Sequence, residues 1–236
     1  MNVKTQNRPH IICHMVTSLD GKVTGDFLSC PECVRASEIY YRIHRAQAAD
    51  GFICGRVTME GSFTGGYYPN LSGYTPVEER NDYIPEGLSG FFAIAFDTHG
   101  KLGWQSSRIV DPDGDPGYDG ARIIEVLSED VDGRYLRYLR EKEIPYLFAG
   151  KDSIDVMLAL GKLKSIIGCG RLLLEGGSVL NGAFERAGAV DELSLVVAPV
   201  IAQKDAKPLF MDADIASFTL VKEECENGNL ILHYRR

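Results

Sequence analysis

The stretch RLLLEGGSVLNGAF at Arg171–Phe184 joins a short apolar run, two glycines and a helical pattern. The run that ends at Leu174 predicts a buried strand, and apolar residues recur at helical spacing from Val179 onward. A strand that ends in Gly-Gly and opens a helix leaves backbone N–H groups for an anion, because glycine lets a ligand approach closely. Two interpretations of this turn stay open: a pyrophosphate-binding turn with Glu175 beside it, or an ordinary strand-to-helix connection.

Strand-like and helix-like segments alternate along the chain, which predicts an α/β fold with a mostly parallel sheet covered on both faces. The predicted strands, all short apolar runs, are His10–Val16, Gly51–Cys54, Phe91–Phe96, Ile123–Leu127, Pro145–Ala149, Arg171–Leu174 and Asp191–Ile201. The predicted helices, which repeat apolar residues every three or four positions, are Ser37–Ala49, Gly133–Glu143 and Ser153–Lys164.

The chain ends in a predicted antiparallel hairpin, in which Phe218–Glu224 and Leu230–Tyr234 flank the turn dipeptide Asn227-Gly228. Residues 62–90 are rich in Gly, Tyr, Pro and Asn and predict a long loop of the kind that lines a substrate site. No linker or repeat divides the sequence, so we expect a single domain over residues 1–236.

Composition restricts the class of protein. The formal net charge is −8, and no cluster of Lys and Arg offsets it, which argues against binding to nucleic acid. No apolar run reaches the roughly 18 residues of a membrane span, and residues 1–10 lack the apolar core of a signal peptide. A cytoplasmic location is therefore expected.

The six cysteines give little indication of a metal site. Cys13, Cys54 and Cys169 lie in or beside apolar runs, where a free thiol acts as a small hydrophobic group. Cys30-Pro-Glu-Cys33 has the spacing of half a zinc site or of a redox pair, but no second Cys/His pair completes it. Its flanks also do not resemble a thioredoxin active-site helix, and we expect no metal.

Several predicted strands end in polar or glycine-containing turns. In an open α/β sheet the carboxyl ends of parallel strands lie along one edge, and ligands bind there. The sequence therefore predicts a common cleft, although it lacks the G-x-G-x-x-G fingerprint of a Rossmann nucleotide site. The turns are Thr17–Lys22, Gly55–Thr58, Asp97–Thr98, Ala149-Gly150 and Glu175–Ser178.

These motifs resemble those of a known family. In order along the chain, the motifs are Met15–Lys22 (MVTSLDGK), Gly55–Thr58 (GRVT), Leu174–Leu180 (LEGGSVL), Val190–Leu193 (VDEL) and Ala198–Val200 (APV). In kind and order they are similar to the motifs of the riboflavin-biosynthesis pyrimidine reductases. The similarity runs from Ile11 to about Leu232. It implies a dihydrofolate reductase-like fold, a three-layer α/β/α sandwich around a mixed, mostly parallel sheet. It also implies a homodimer.

The resemblance further implies an NADPH-dependent oxidoreductase that opens the ribosylamino group of a pyrimidine to a ribityl chain. No deaminase domain precedes the match, so only the reductase step is expected. Thr17, Thr58 and Thr98 correspond to cofactor contacts, and Glu175 and Arg45 to residues that face the substrate. The cofactor's phosphates are expected on the glycine turn and the helix after it, at Gly176, Gly177, Ser178, Val179, Leu180, Asn181, Gly182 and Ala183.

Chemistry adds further candidates, each with an alternative. Reduction at a sugar carbon requires a proton donor or polarising group, so Asp20 and Glu175 are catalytic candidates and Ser18 and Lys22 substrate-binding candidates. Each also has a structural interpretation: Asp20 as a turn residue, Glu175 as a helix-start carboxylate and Lys22 as a solvated lysine. Among basic residues, His99 and Lys101 are candidates for binding the 2′-phosphate of NADPH.

One departure from the family pattern concerns the substrate. The reductases usually place an arginine soon after the second turn, whereas here Thr58 is followed by no arginine until Arg80. The phosphoribosyl substrate is therefore less well supported than the cofactor. Two alternatives remain open: a reductase of the same fold that acts on another pterin, carbonyl or imine compound, and a non-catalytic nucleotide-binding protein.

Two more expectations follow from residue type. Gly177→Val is expected to abolish cofactor binding without unfolding the protein, on the premise that Gly177 has a positive φ. The apolar run Asp191–Ile201 is expected near a sheet edge, where a second copy of the chain would cover it in a homodimer.

Overall fold

The computed structural model describes residues 7–236 and groups them into two compact units, each built from two stretches of chain. The first unit combines the described residues up to Pro9 with Ala49–Leu172, and the second combines His10–Ala48 with Leu173–Arg236. Residues 1–6, which contributed to the expectation of no signal peptide, lie outside the described residues. The expectation of a single domain stays a prediction.

Four parallel strands form the sheet of the first unit. They are β2 (Gly51–Gly55), β3 (Phe92–Phe96), β4 (Arg122–Leu127) and β5 (Tyr146–Phe148), adjacent in that order. Gly55 pairs with Phe96 and Phe96 with Val126, so the turns that follow these strands lie at the same sheet edge. The helices of this unit are α2 (Arg56–Met59), α3 (Gly133–Glu141) and α4 (Val156–Lys162).

The second unit contains a mixed sheet. β1 (His10–Thr17) pairs in parallel with β7 (Glu192–Val197), which pairs antiparallel with β9 (Asn229–Arg235), and β9 pairs antiparallel with β8 (Thr219–Glu226). Its helices are α1 (Pro31–Ala46) and α5 (Ser178–Arg186), and α5 follows β6 (Arg171–Leu174). Within this unit β1, β7, β9 and β8 are adjacent in that order.

The predicted fold class is confirmed. The strands form a mixed, mostly parallel sheet with helices between them, and the chain ends in an antiparallel hairpin at one sheet edge. The premise that placed Asp191–Ile201 near the edge is wrong, because β7 pairs with β1 on one side and β9 on the other. β8 is the edge strand instead, and seven of its eight residues are exposed.

Helix α1 begins earlier than its apolar spacing indicates. Cys30 is the N-cap and Pro31 occupies the first helical position, where its fixed φ suits a helix and its missing N–H costs nothing. The helix packs its buried face on one hydrophobic cluster of the second unit, and this cluster joins α1 to β7 and β9. Its buried members are Phe27, Cys33, Ala36, Ile39, Val196, Ala198 and Ile231.

Of the described helices, none has the length and apolar character required to cross a bilayer.

Candidate functional site

The centre of the candidate site in the second unit is a buried pair formed by Glu175 and His44. Glu175 directly follows β6, and its Oε1 lies 2.7 Å from Nδ1 of His44 in the last turn of α1. The two side chains are 3% and 1% exposed, respectively. Since a carboxylate offers only acceptor oxygens, Nδ1–H of the imidazole donates this hydrogen bond.

A second buried histidine lies close to the pair. His14 on β1 stacks on the ring of Tyr40 at 4.2 Å, and its Nε2 is 3.1 Å from the Tyr40 carbonyl oxygen. Its Nδ1 lies 3.0 Å from the Ser194 hydroxyl, which can donate to it. Burial, which outweighs the opposing charge of Glu175, lowers the pKa of His14, so this ring is neutral at pH 7.

The turn after Glu175 contains two glycines with different backbone requirements. Gly176 has φ +99°, and a Cβ there would lie 3.3 Å from the terminal methyl of Met15. Gly177 has φ −77°, which any residue can adopt, so the premise that Gly177 has a positive φ is wrong. The peptide bond between them is cis.

Gly177 is the N-cap of α5 and provides no capping side chain. The N-terminal N–H groups of a helix bind anions when no side chain occupies them. This part of the chain therefore has the backbone chemistry of a phosphate site. Val179 in the first turn is 59% exposed, and Leu180 and Ala183 are half-buried.

Three other predicted cofactor residues have structural partners in the segment 208–211. The Ser178 hydroxyl donates to the Pro208 carbonyl, and Nδ2 of Asn181 donates to the Leu209 carbonyl at 3.1 Å. At Gly182 a Cβ would come within 1.7 Å of the Met211 carbonyl oxygen, so only glycine fits. These side chains and this glycine hold the segment against α5.

The turn after β1 is closed by its own side chains. Ser18 is buried, donates from Oγ to Asp20 at 2.7 Å and accepts from the Lys22 N–H at 2.9 Å. Asp20 Oδ1 also accepts from the Ala202 N–H at 3.0 Å. That hydrogen bond, and after it the Ser18 hydroxyl, lowers the pKa of Asp20, so its carboxylate is ionised at pH 7 and carries no proton to donate.

Thr17 and Lys22 are the other two candidate site residues at the turn after β1. Thr17 is the last residue of β1 and is buried, and its carbonyl accepts from the Ala198 N–H at 2.8 Å. Lys22 is half-buried. The contacts of Asp20 support its alternative interpretation as a turn residue.

In the first unit, Thr58 and Thr98 follow the ends of β2 and β3 at the same sheet edge, and both are half-buried. The Thr98 carbonyl accepts from the Ser128 N–H and hydroxyl, which fixes this turn to the end of β4. His99 and Lys101 follow in the turn and are exposed.

The same unit contains a second buried acid, which sequence patterns did not indicate. Glu125 on β4 is 0% exposed, and its Oε1 accepts from the Trp104 indole N–H and from the Tyr135 hydroxyl. Asp97, 1% exposed, accepts through Oδ2 from the Lys101 and Leu102 N–H groups at 2.5 and 2.8 Å. Burial, followed by the charge of Asp97, raises the pKa of Glu125 well above its ordinary value.

Arg45 follows His44 on α1 and is exposed, while His44 faces inward. The sequence did not identify His44 or His14. The available signal was positional: His44 lies on the α1 face that also buries Cys33 and Ile39, and a polar residue on a buried face needs a partner. Residues 7–236 contain no group of three or more potential metal-binding side chains.

Comparison with known proteins supports the resemblance on the part of the chain that contains Glu175. Residues 118–230 match the family model described as the RibD C-terminal domain. A 2,5-diamino-6-ribosylamino-4(3H)-pyrimidinone 5′-phosphate reductase from Methanothermobacter thermautotrophicus is 35% identical over 92 residues. That alignment covers 39% of this chain and 42% of the relative, so it spans less than half of the relative's length.

Two solved structures share the fold. A pyrimidine reductase-like protein from Corynebacterium diphtheriae aligns with a TM-score of 0.65 and 17% identity, over 100% of this chain and 94% of its own. RibD from Acinetobacter baumannii aligns with a TM-score of 0.64 and 17% identity, over 98% of this chain and 58% of its own. The resemblance inferred from the sequence is confirmed, and the site residues stay predictions.

Proposed function

We propose that this chain is an NADPH-dependent reductase that reduces the ribosylamino group of a pyrimidine intermediate in riboflavin biosynthesis. The observation that supports this proposal most directly is the buried Glu175–His44 pair. Glu175 lies directly before the glycine turn and α5, inside the segment that matches the RibD C-terminal domain. The name of the Methanothermobacter relative supports the choice of substrate.

The chain's own residues fit a dinucleotide at the turn after β6. The N-cap of α5 is a glycine without a capping side chain, and the neighbouring Gly176 has a positive φ. When bound, NADPH supplies the hydride. Gly176, Gly177 and the first turn of α5 would hold its pyrophosphate, and Val179 would lie beside it on the exposed side of the helix.

Glu175 and His44 are proposed to manage the proton that accompanies the hydride. Opening a ribosylamino group to a ribityl chain adds one hydride to carbon and one proton to a heteroatom. The Nδ1–H of His44 already points at Glu175 Oε1, so the pair holds a proton at a defined atom. Glu175 either carries that proton to the substrate or orients a polar group of the pyrimidine, as the resemblance implies.

Arg45 is the proposed partner of the substrate phosphate. It is exposed in the last turn of α1, directly after His44, and the resemblance implies that it faces the substrate.

One observation favours a second candidate function, reduction of a smaller and less anionic carbonyl, imine or pterin. Arg56, which is the first residue of α2, pairs with Glu60. Tyr68 also donates to Glu60 at 2.5 Å, so Arg56 and Tyr68 share this carboxylate. A substrate phosphate would have to compete with Glu60 for Arg56.

The test is steady-state NADPH oxidation on the phosphorylated and dephosphorylated pyrimidines side by side, with a panel of small carbonyl and pterin compounds. The proposal expects turnover on the phosphorylated pyrimidine and a roughly tenfold preference for it that Arg45→Ala removes, since one charge-assisted contact is lost. Turnover only on the small compounds would support the second candidate. NADPH binding without turnover on any compound would support a binding protein.

A homodimer and a cytoplasmic location belong to the same proposal. The surface that favours a dimer is β8, because this edge strand is exposed along nearly its whole length and carries Leu220 and Val221, 43% and 51% exposed. An unpaired edge strand offers backbone N–H and C=O groups to which a second strand can bind. Light scattering at micromolar concentration should report twice the monomer mass, and Val221→Lys should shift the protein toward monomer. A wild-type monomer would refute the dimer.

A further inference from the structure

Cys30 and Cys33 lie together at the start of α1. Cys30 is the N-cap, Pro31 is the first helical residue, and Cys33 is the third. An N-cap side chain lies next to the backbone of the third helical residue, which is why N-cap oxygens bind the N–H group there. Cys33 is 0% exposed, whereas Cys30 is half-buried, so solvent reaches one thiol of the pair and not the other.

The two thiols lie close to each other and to one carboxylate. Cys33 and Cys30 are in side-chain contact, and the Cys30 thiol also contacts the carboxylate of Glu32. Burial, and next the bond to Cys30, raises the pKa of the Cys33 thiol to about 12. The contact with Cys30 also contributes to the lowered pKa of Glu32.

We propose that Cys30 and Cys33 form a reversible dithiol–disulfide pair, with Cys30 as the thiol that reacts first with an external disulfide. This modification site is separate from the proposed reductase chemistry. The Cys30 thiolate attacks one sulfur of a small-molecule disulfide, forms a mixed disulfide and releases one thiol. The Cys33 thiol then loses its proton, attacks the Cys30 sulfur and releases the second thiol. The protein loses two electrons and two protons, which the small disulfide gains as two thiols.

The other cysteines allow a clean test. Cys225 is exposed, and Cys13, Cys54 and Cys169 are buried. In a Cys225→Ser background, Cys30 is therefore the one cysteine within residues 7–236 that is more than marginally accessible to solvent. The full-length protein is reacted in the native state with an aromatic disulfide, dithiobis-nitrobenzoate, and the released thiolate is measured by absorbance.

The background variant should release about two equivalents of thiolate and keep no bound aromatic group, because Cys33 displaces it. Adding Cys33→Ala should leave about one equivalent and a stable adduct that intact mass spectrometry detects. Adding Cys30→Ala should leave almost none. Circular dichroism confirms that each variant is folded, and Cys169→Ala serves as the control for loss of another buried thiol.

The proposal is overturned if the folded background variant releases about one equivalent and retains the adduct, since Cys33 then does not reach Cys30. It is also overturned if Cys33→Ala leaves the two equivalents unchanged.

Discussion

Glu175 and Glu125 are both buried carboxylates in or directly after a β-strand, and they differ in their partners. Glu175 receives a hydrogen bond from the His44 imidazole at 2.7 Å. Glu125 receives its hydrogen bonds from the neutral indole of Trp104 and hydroxyl of Tyr135, and its acidic neighbour is Asp97. The first carboxylate has an imidazole partner, the side chain that ordinarily exchanges protons near neutral pH, and the second does not.

This difference shows that burial alone does not identify a working acid. Burial and the charge of Asp97 raise the pKa of Glu125, so the folded chain favours the neutral, protonated form of this group over the carboxylate. Its Oε2 and the Oδ1 of Asp97 are both buried, and neither has a hydrogen-bond partner among the described residues. We assign Glu125 to stability, and we propose Glu175 for the reaction.

The first prediction concerns the partner of Glu175. His44→Ala should lower kcat by about a hundredfold, because the buried carboxylate loses its donor, while the Kd of NADPH changes less than about threefold. His44→Gln keeps an N–H donor but cannot titrate, so it should recover part of the loss and flatten the pH dependence of kcat. His233→Gln is the control, since this histidine on β9 is only half-buried. If both His44 variants kept the wild-type kcat and pH profile, the proposed difference in role between Glu175 and Glu125 would be wrong.

The second prediction concerns the turn that contacts Asp97. Lys101→Ala should weaken NADPH binding by roughly tenfold and leave NADH binding unchanged, because the exposed ammonium is proposed to contact the 2′-phosphate. Fluorescence titration with both nucleotides measures the effect, and Lys204→Ala, another exposed lysine, is the control. Equal losses for NADPH and NADH would show that Lys101 acts on the fold of the turn.

The third prediction concerns Glu125 itself. Its folded pKa is raised, so the native chain keeps a proton that the unfolded chain releases above about pH 4.5. The stability from this group is full below the unfolded pKa and is lost as pH rises toward the folded pKa, by about 1.4 kcal/mol per pH unit. Glu125→Gln should remove that slope, since its amide stays neutral at every pH.

Urea unfolding of Glu125→Gln at a series of pH values above about 4.5 measures this slope. Glu129, which is exposed in the loop after β4, supplies the control Glu129→Gln. The pH dependence of its unfolding free energy should match that of wild type. A wild-type slope in Glu125→Gln would mean that Glu125 does not hold the proton.

The smallest effect is expected at Asp20. Its pKa is lowered, so its stabilising contribution is present above the unfolded pKa and is lost as pH falls through the folded pKa. Asp20→Asn keeps an oxygen for the Ser18 and Ala202 donors, so kcat should change less than about twofold and Tm should fall by less than about 2 °C. A large loss of kcat with an unchanged Tm would instead support the catalytic interpretation.

Local sequence patterns predicted the elements well because most strands are short apolar runs with glycine or polar ends. The run at β6, the helix after it and the turn dipeptide Asn227-Gly228 all lie where periodicity and turn chemistry indicate. The predicted start of α1 was late, because a proline at the first helical position weighs less in a periodicity count than apolar spacing.

Long-range partners were not predictable in the same way. His44 and Glu175 are separated by 131 positions, and Trp104 is 21 positions away from Glu125, to which it donates a hydrogen bond. The interior position of β7 depends on pairing with β9, which no pattern within β7 specifies. Distinguishing Gly176 from Gly177 required backbone angles that two identical letters do not encode.

The most direct test of this division of roles is the single-turnover rate of NADPH oxidation on the phosphorylated pyrimidine, measured at saturating NADPH for wild type, Glu175→Gln and Glu125→Gln. Glu175→Gln should be slower by about a hundredfold, and Glu125→Gln should stay within about threefold of wild type. A wild-type rate in Glu175→Gln, or an equal loss in both folded variants, would contradict the assignment of the reaction to the Glu175–His44 pair.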